Sequence, residues 1–475
     1  MSVARKVAKN TLWIIFGYGI QVVLGVITVA CLARYLGKDN FGKFSFVFVY
    51  LGFFNLIIDF GIGQILVREV SRDREKAGKL IGNAIIIRLI LSVFAIVLAC
   101  LFINLLHYPF KTKLLIYIAS LSFLLSISGL YGLIFQVNLK IKYSIFADIC
   151  NGLLKLGLFS YFIYLRFTLA WFVAATVITC IPGIFIVMIL SKKFIKPDFH
   201  VDFKMWKNLF REAFPLALTS VFIMIYARAD QLLLFHMKGA QEVGYYAAIV
   251  KLAETFNMIP SAFLTSIAPL FYDYFAVSGK KLEKAYELTF KYLSAFVIPI
   301  VFGVFILAGN IIMLVYGRQF IEASFALRIL IWSEIFVFLG TIQYYILVSV
   351  GLQKINFIIT LASMVTNVLL NLILIPRYGI AGASAATLVS YGLSIPILFI
   401  LTETRKYAIA SVCSTLKPLL AAGLMGCFTY LAFVFKIHLA INIFLSACIY
   451  FGLLLLIKGL NKQDFEYIKE MAVKI

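Results

Sequence analysis

Four charged residues sit where a chain of this kind should be apolar. Phe214–Met237 and Val243–Ile267 are apolar runs of 24 and 25 residues, joined by the short turn Lys238-Gly-Ala-Gln-Glu242. At ~1.5 Å per residue, each can cross a bilayer core of roughly 30 Å, so the pair reads as an antiparallel membrane hairpin. Arg228 and Lys251 both fall roughly 12–14 Å below the turn, and Asp230 and Glu254 bracket the same depth. An ion in hydrocarbon costs about 2.5–3.5 kcal/mol or more, which confines such residues to a protein interior or a wet cavity. The chemistry of this set is recognition of a polar or charged cargo within the membrane, and the remaining spans must enclose it.

The same search along the chain gives further intramembrane charges. Asp148, Asn151 and Lys155 stand at i, i+3 and i+7, one face of a helix. Asp59 lies about five residues, and Arg88 about seven, from the inner ends of their spans, so the two can pair. Glu334, Thr341 and Tyr345 share a face, with Arg328 nearer the outside, and Thr360, Ser363, Asn367 and Asn371 share another. The clearly buried cations are therefore Arg88, Lys155, Arg228, Lys251 and Arg328. The anions are Asp59, Asp148, Asp230, Glu254 and Glu334. Five stand against five, so the set reads equally as a substrate site or as structural ion pairs. Lys251 and Glu254, at i and i+3, could neutralise each other. Arg228 and Asp230 are about 200° apart around a helix, so Arg228 needs a partner elsewhere: Glu254 or the substrate.

Composition decides the class. Of 475 residues, 63% are hydrophobic and 13% charged, against about 45–50% and ~25% in soluble domains. The expectation is an all-α polytopic membrane protein. Fourteen spans are expected, at roughly 11–33, 44–64, 81–105, 114–136, 143–165, 169–190, 214–237, 243–267, 288–308, 324–349, 355–376, 380–402, 415–434 and 439–457. The run from Thr11 has no cleavage site and reads as a retained first helix. The net charge of +22 sits in loops between spans, which fits a membrane surface and not nucleic acid. Lys and Arg number 26 in the loops on the side of the termini and 10 in the opposite loops, which places both termini in the cytoplasm. The basic loop 191–212, with Phe203, Trp206 and Phe210 at helical spacing, reads as a surface helix on anionic lipid, as does the tail 461–475. The seven cysteines lie in or beside apolar runs without C-x-x-C spacing, and the four histidines are scattered, so no metal site is expected. There is no phosphate-binding G-x-x-x-x-G-K-[ST] loop, no H-E-x-x-H, no catalytic constellation and no cofactor signature.

Internal repetition organises the spans. Gly37-Lys-Asp-Asn-Phe-Gly42 after span one matches Gly239-Ala-Gln-Glu-Val-Gly244 after span seven, at an offset of 202 residues. Arg166-Phe-Thr-Leu-Ala170 with Ala174-Ala-Thr176 matches Arg377-Tyr-Gly-Ile-Ala381 with Ala385-Ala-Thr387, at an offset of 211. Spans one to six and seven to twelve thus read as two parallel six-helix lobes, 1–190 and 213–402. Residues 191–212 form a linker, and 403–475 hold two extra C-terminal helices and a tail.

This plan, with Ala33-Arg-Tyr-Leu-Gly37, Asp59-Phe-Gly61, Val67-Arg-Glu69, Val243-Gly-Tyr-Tyr-Ala247 and Ile375-Pro-Arg-Tyr-Gly-Ile-Ala-Gly382, resembles the O-antigen flippase branch of the multidrug/oligosaccharidyl-lipid/polysaccharide exporter superfamily. The resemblance covers nearly the whole chain. It implies alternating-access transfer of a polyprenyl-pyrophosphate-linked oligosaccharide across the cytoplasmic membrane. The sugar would occupy a cavity between the lobes, and its pyrophosphate would meet basic side chains. In relatives, spans thirteen and fourteen would help form a groove for the lipid tail. The implied partners are the lipid-linked substrate, anionic lipids, and a polysaccharide polymerase or glycosyltransferases. A cation-coupled drug exporter is the competing reading, disfavoured because residues 11–33 contain no acid. A lipid II flippase shares the plan. A passive scaffold has no use for buried charge.

The charge asymmetry makes a direct prediction. A topology reporter fused at Gly239 should read outside and one at Ser278 inside. Both on one side would break the fourteen-span map.

Overall fold

Glycine decides where these long apolar helices turn. In the computed structural model, which describes residues 3–261, 263, 264, 267, 271 and 279–459, α1 (Val3–Asp59) is two helical arms meeting at Gly37, whose φ of 71° and ψ of 172° only glycine adopts readily. Gly239, its partner in the repeat, has nearly the same conformation, φ 88° and ψ −174°, and ends α9 (Phe203–Lys238). Two sites 202 residues apart thus break the backbone identically, which supports the repeat at the level of geometry.

The remaining elements follow in order: α2 (Ile62–Arg72), α3 (Ala77–Leu105), α4 (Phe110–Ser120), α5 (Ser128–Val137), α6 (Lys142–Tyr164), α7 (Leu169–Ile178), α8 (Cys180–Ser191) and, after α9, α10 (Ala240–Glu254). Then come α11 (Gly279–Tyr316), α12 (Ser324–Leu330), α13 (Ser333–Ser349), α14 (Gln353–Gly392), α15 (Ser394–Ile400), α16 (Arg405–Val434) and α17 (Leu439–Leu456). No strand occurs among the described residues. Ten helices among them are long and apolar enough to cross a membrane, or eleven counting one bent pair. The fourteen expected spans are not confirmed as separate helices. Two of the ten, Phe16–Arg72 and Gln353–Ile400, hold 57 and 48 residues. At ~1.5 Å per residue, each is at least twice as long as a roughly 30 Å core requires. The second is bent inside α14 at Gly379, φ 54°. The tail helix expected over 461–475 lies outside the described residues.

The chain forms two compact units, residues 1–244 and 245–475. The repeat boundaries expected at 190 and 213 fall inside the first. It holds a core of Ile62, Leu66, Ile81, Ile134, Phe135 and Leu209. Within 191–212, where part was expected as a surface helix, positions from Phe203 onward are helical and continuous with α9; Phe203 is exposed and Leu209 is buried in that core. Asn83 holds the preceding strap in place. Its amide donates to the carbonyls of Lys79 and His200, each at 2.9 Å, and its oxygen accepts from Asp202 N at 2.9 Å and Trp206 Nε1 at 2.7 Å. Asp202 in turn caps α9 by accepting from Met205 N at 3.0 Å. The Lys79 ammonium, 2.7 Å away, holds the Asp202 carboxyl below the usual carboxylate range.

The second unit is fastened by tyrosine hydroxyls that donate to carbonyls of neighbouring helices. Tyr316 reaches Ala248 O at 2.9 Å, Tyr450 reaches Ala295 O at 2.9 Å, and Tyr286 reaches Tyr407 O at 3.2 Å. Apolar contact alone gives helices no preference for each other over lipid, so such pins and small residues specify the packing. The two arms of α14 are joined in this way: Asn371 donates to Asn367 Oδ1 at 2.9 Å, and Asn367 to Ser390 Oγ at 3.1 Å.

Replacing Asn83 by Ala would strand four polar partners. We expect a loss of at least about 2–4 kcal/mol of local stability. It should be read as faster proteolysis within 192–202 and a lower melting temperature in detergent. An unchanged digestion pattern would show that the strap is held by other contacts.

Candidate functional site

The expected pair in the first unit forms. Asp59 ends the second arm of α1, where Phe60 (φ 41°) and Gly61 (φ 73°) reverse the chain. Arg88, on α3, donates through Nη2 to Asp59 Oδ1, and through Nη1 to the Ser126 carbonyl at 3.4 Å. The Arg88 side chain is 11% exposed and that of Asp59 53%, so the cation is the buried partner. Gly129 makes room for it: a Cβ there would lie 3.1 Å from Nη1.

The stripe on α6 lies on one face, as its spacing predicted, with Asp148 exposed and Asn151 and Lys155 half-buried. Asp148 accepts from Gln21 on α1 at 3.5 Å. The Asn151 amide fills the space left by the missing side chain of Gly183 on α8, and its Oδ1 is buried without a hydrogen bond. Lys155 places its ammonium 5.5 Å from the Phe159 ring centre. Cys180, at the start of α8, is within electrostatic reach of both Asp148 and Lys155. On α9, Asp230 is buried and Arg228 half-buried, two positions apart on different faces, as the helical angle requires. Asp230 Oδ1 accepts from Gln231 N at 2.7 Å. Lys155, Arg228, Asp230 and Glu254 are all engaged with neighbouring groups.

The second unit departs more from expectation. Lys251 is exposed, and no ion pair with Glu254 forms among the described residues, so local neutralisation does not occur. The backbone spacing permits that pair, but the two side chains meet different surroundings. Glu254 is half-buried and lies within electrostatic reach of Glu334. Glu334 is 4% exposed, and its Oε2 is buried without a hydrogen bond. It begins α13, just past a 44° bend between Arg318–Leu330 and Ser333–Ser349 that hydropathy does not reveal. Arg328 lies on the other side of this bend and is exposed. The structure therefore brings together Asp59 with Arg88, Asp148 with Lys155 around Cys180, and Glu254 with Glu334. It leaves Lys251 and Arg328 outside any such group.

Three polar features escaped sequence reasoning. Asn83 is a lone amide beside an isoleucine run. Gln343, on α13, is buried with Nε2 unpartnered. Thr429, Asn442 and Ser446 link α16 to α17: the two hydroxyls lie 2.8 Å apart, and Asn442 donates to Thr429 O at 3.2 Å. Asn442 and Ser446 at i and i+4 in the last span were the available signal. This knot forms one wall of a cavity of ≈ 270 Å³ between α11, α16 and α17, otherwise lined by side chains such as Phe296, Pro299, Ile300, Ile443, Tyr450 and Phe451.

Long apolar helices with charged side chains in their spans, and an apolar cavity beside the last helix pair, are the features of a polytopic membrane protein. Comparison with known proteins gives the family. Residues 7–275 match the family described as "Polysaccharide biosynthesis protein" and 215–373 match the MatE family, and the chain belongs to the first. It is 22% identical over 398 residues to a "Putative O-antigen transporter" of Shigella flexneri, covering 80% of this chain and 93% of that one. It is 23% identical over 481 residues to a "Probable low-salt glycan biosynthesis flippase" of Haloferax volcanii, covering 98% of each. Its fold is similar to that of a lipid II flippase in an inward closed conformation, with a TM-score of 0.76 and 17% identity, over 92% of this chain and 97% of that one. An inward-facing multidrug resistance MATE family transporter of the MOP superfamily gives 0.66 at 15% identity, over 85% and 95%.

The burial asymmetry of Asp59 and Arg88 is testable. Asp59→Ala strands a buried guanidinium and should cost about 3–5 kcal/mol, seen as reduced protein in the membrane. Asp59→Ala with Arg88→Met should restore the level. A double variant as poor as the single one would refute a mainly structural pairing.

Proposed function

We propose that this protein moves a polyprenyl-pyrophosphate-linked oligosaccharide from the inner to the outer leaflet of the cytoplasmic membrane. It would work by exposing one site alternately to the two sides, with both termini in the cytoplasm and the repeats 1–190 and 213–402 as the moving lobes. The observation that carries the reading is the family match, together with the nearly full-length relation to proteins described as an O-antigen transporter and a glycan flippase. The structure supports it chemically. An oligosaccharide and a pyrophosphate need donors and cations, which the inner charges supply. Arg228 is suited to phosphate by its planar fork of N–H groups. An isoprenoid tail needs an apolar groove, and the cavity beside α17 is apolar apart from the Thr429 and Ser446 hydroxyls. Asp59, Asp148, Asp230, Glu254 and Glu334 would serve gating or ion coupling. Arg88, Lys155, Arg228, Lys251 and Arg328 are the candidates to meet the anionic cargo. A polymerase or glycosyltransferase acting on the same lipid-linked unit is the natural partner.

The decisive residue is Arg228. Arg228→Ala should leave the protein in the membrane at normal level and weaken transport by about 1.5–3 kcal/mol, roughly ten- to a hundredfold. Arg228→Lys should retain part of the activity, keeping the charge without the fork. The assay is appearance of a lipid-linked oligosaccharide on the far side of proteoliposomes, with lipid II and a cationic dye as competing cargoes. Normal transport by a well-expressed Arg228→Ala protein removes this residue from the mechanism. Transport of dye alone would replace the proposed function with drug export.

A further inference from the structure

Span four is not one α-helix. Between α4 and α5, residues Leu121–Ile127 form a 3₁₀-helix of seven residues. It occupies the middle of the continuous apolar stretch Phe110–Val137. Such runs rarely exceed about 3–4 residues, because their hydrogen bonds are poorer than those of an α-helix. The segment Leu-Ser-Phe-Leu-Leu-Ser-Ile contains no proline or glycine to force it. The hold comes from α3. Arg88 donates through Nη1 to Ser126 O at 3.4 Å. The Ser92 hydroxyl, fully buried, is shared between Arg88 O of its own helix at 2.7 Å and Phe123 O at 2.9 Å, and lies 3.3 Å from Ser126 Oγ. Irregular backbone at membrane depth is tolerated where neighbouring side chains meet its polar groups, and these two side chains do so.

The same guanidinium is held at its other nitrogen by Asp59. Asp59 is the more exposed partner, so a group arriving from water reaches this clamp through it. The shape of span four thus depends less on its own sequence than on a pair that can open, which makes it a two-state element. The two states differ in length. Seven residues rise about 2.0 Å each as a 3₁₀-helix and about 1.5 Å each as an α-helix, so conversion shortens the span by about 3.5 Å. Advanced by the 211 positions that relate Arg166 to Arg377, the stretch runs from Trp332 to Phe338 and starts at the 44° bend before Glu334. Two spans that match in the repeat are interrupted at matching places, which argues for a shared task and against a local accident.

We propose that span four is a convertible strut. Arg88 and Ser92 hold its middle as a 3₁₀-helix while Asp59 keeps Arg88 in place, and opening of that pair lets it relax to a shorter α-helix during transport. Arg88 is then a positioning residue that acts through span four. The proposal rests on the function given above for its cargo, but the length change is read without that cargo. In a variant lacking the seven native cysteines, spin labels on Lys111→Cys and Gln136→Cys report the length of the span by pulsed dipolar spectroscopy. Asp59→Ala with Arg88→Met removes the clamp and strands no charge. It should shorten the distance by about 3.5 Å and cut transport at least about tenfold. Should that variant miss the membrane, Ser92→Ala frees the Phe123 carbonyl without touching a charge, and should add the shorter distance as a second population. The parent should show the shorter distance as well while it transports. An unchanged distance in the inserted variants would overturn the strut. So would a shortened span with undiminished transport, or a single unshifted distance in a parent that is moving cargo. If the variants shorten while the parent moves no lipid-linked saccharide, the conversion stands and the proposed cargo falls.

Discussion

The constraint on which this structure depends is that hydrocarbon offers a polar group no partner. Backbone amides and carbonyls are satisfied by helix formation, which is why no strand occurs among the described residues. What remains is to hold helices together when lipid tails solvate leucine as well as another helix does. The chain does this with a sparse set of polar pins: four bonds on Asn83, tyrosine hydroxyls on carbonyls, the Asn367–Asn371–Ser390 chain within α14, and the Thr429–Ser446 knot. Each is worth about 1 kcal/mol or less in such surroundings. Their number matters less than their placement at the crossings that fix which helix meets which.

The same constraint explains what could be read from the sequence. A charge inside a 24-residue apolar run announces itself, so all ten candidate site residues were visible, and so was the Asp59–Arg88 pair. Helical spacing placed Asp148, Asn151 and Lys155 on one face, and Asn367 and Asn371 on another, because both patterns depend only on 3.6-residue periodicity. Tertiary context decided the rest. The aromatic spacing of Phe203, Trp206 and Phe210 suits a helix there but says nothing of its tie to Asn83, 120 positions away, which only the fold reveals. The 44° bend before Glu334 has no proline or glycine at its break to announce it. Lys251 and Glu254 fit the local rule for an ion pair, but their three-dimensional surroundings separate them.

Glycine was the most informative residue and the easiest to undervalue. Gly37 and Gly239 could be matched as letters in a repeat. The structure adds that they share a backbone conformation, and that Gly42 and Gly244 lie against each other's turn at distances no side chain tolerates. Packing this close is open to membrane helices because small residues let backbones approach, and it is exact in register because any slip brings a side chain into the gap.

Glu334 is the counterexample to the rule that polar groups are satisfied, and it bears on energy coupling. One of its oxygens is buried without a partner, and Glu254 lies within electrostatic reach of it. An unsatisfied buried oxygen costs about 1–3 kcal/mol, and a neighbouring like charge adds to that cost. A packing role does not account for the expense, since glutamine or leucine would fill the same volume more cheaply. A pair of acids, one buried and one half-buried, beside a bent and therefore adjustable span is the kind of element whose occupancy by a small cation can bias one packing over another. On that argument the charges divide by task. Arg88 is paired with Asp59 within the first unit. Arg228 is the candidate to meet the cargo. Glu254 with Glu334 is where a gradient would act.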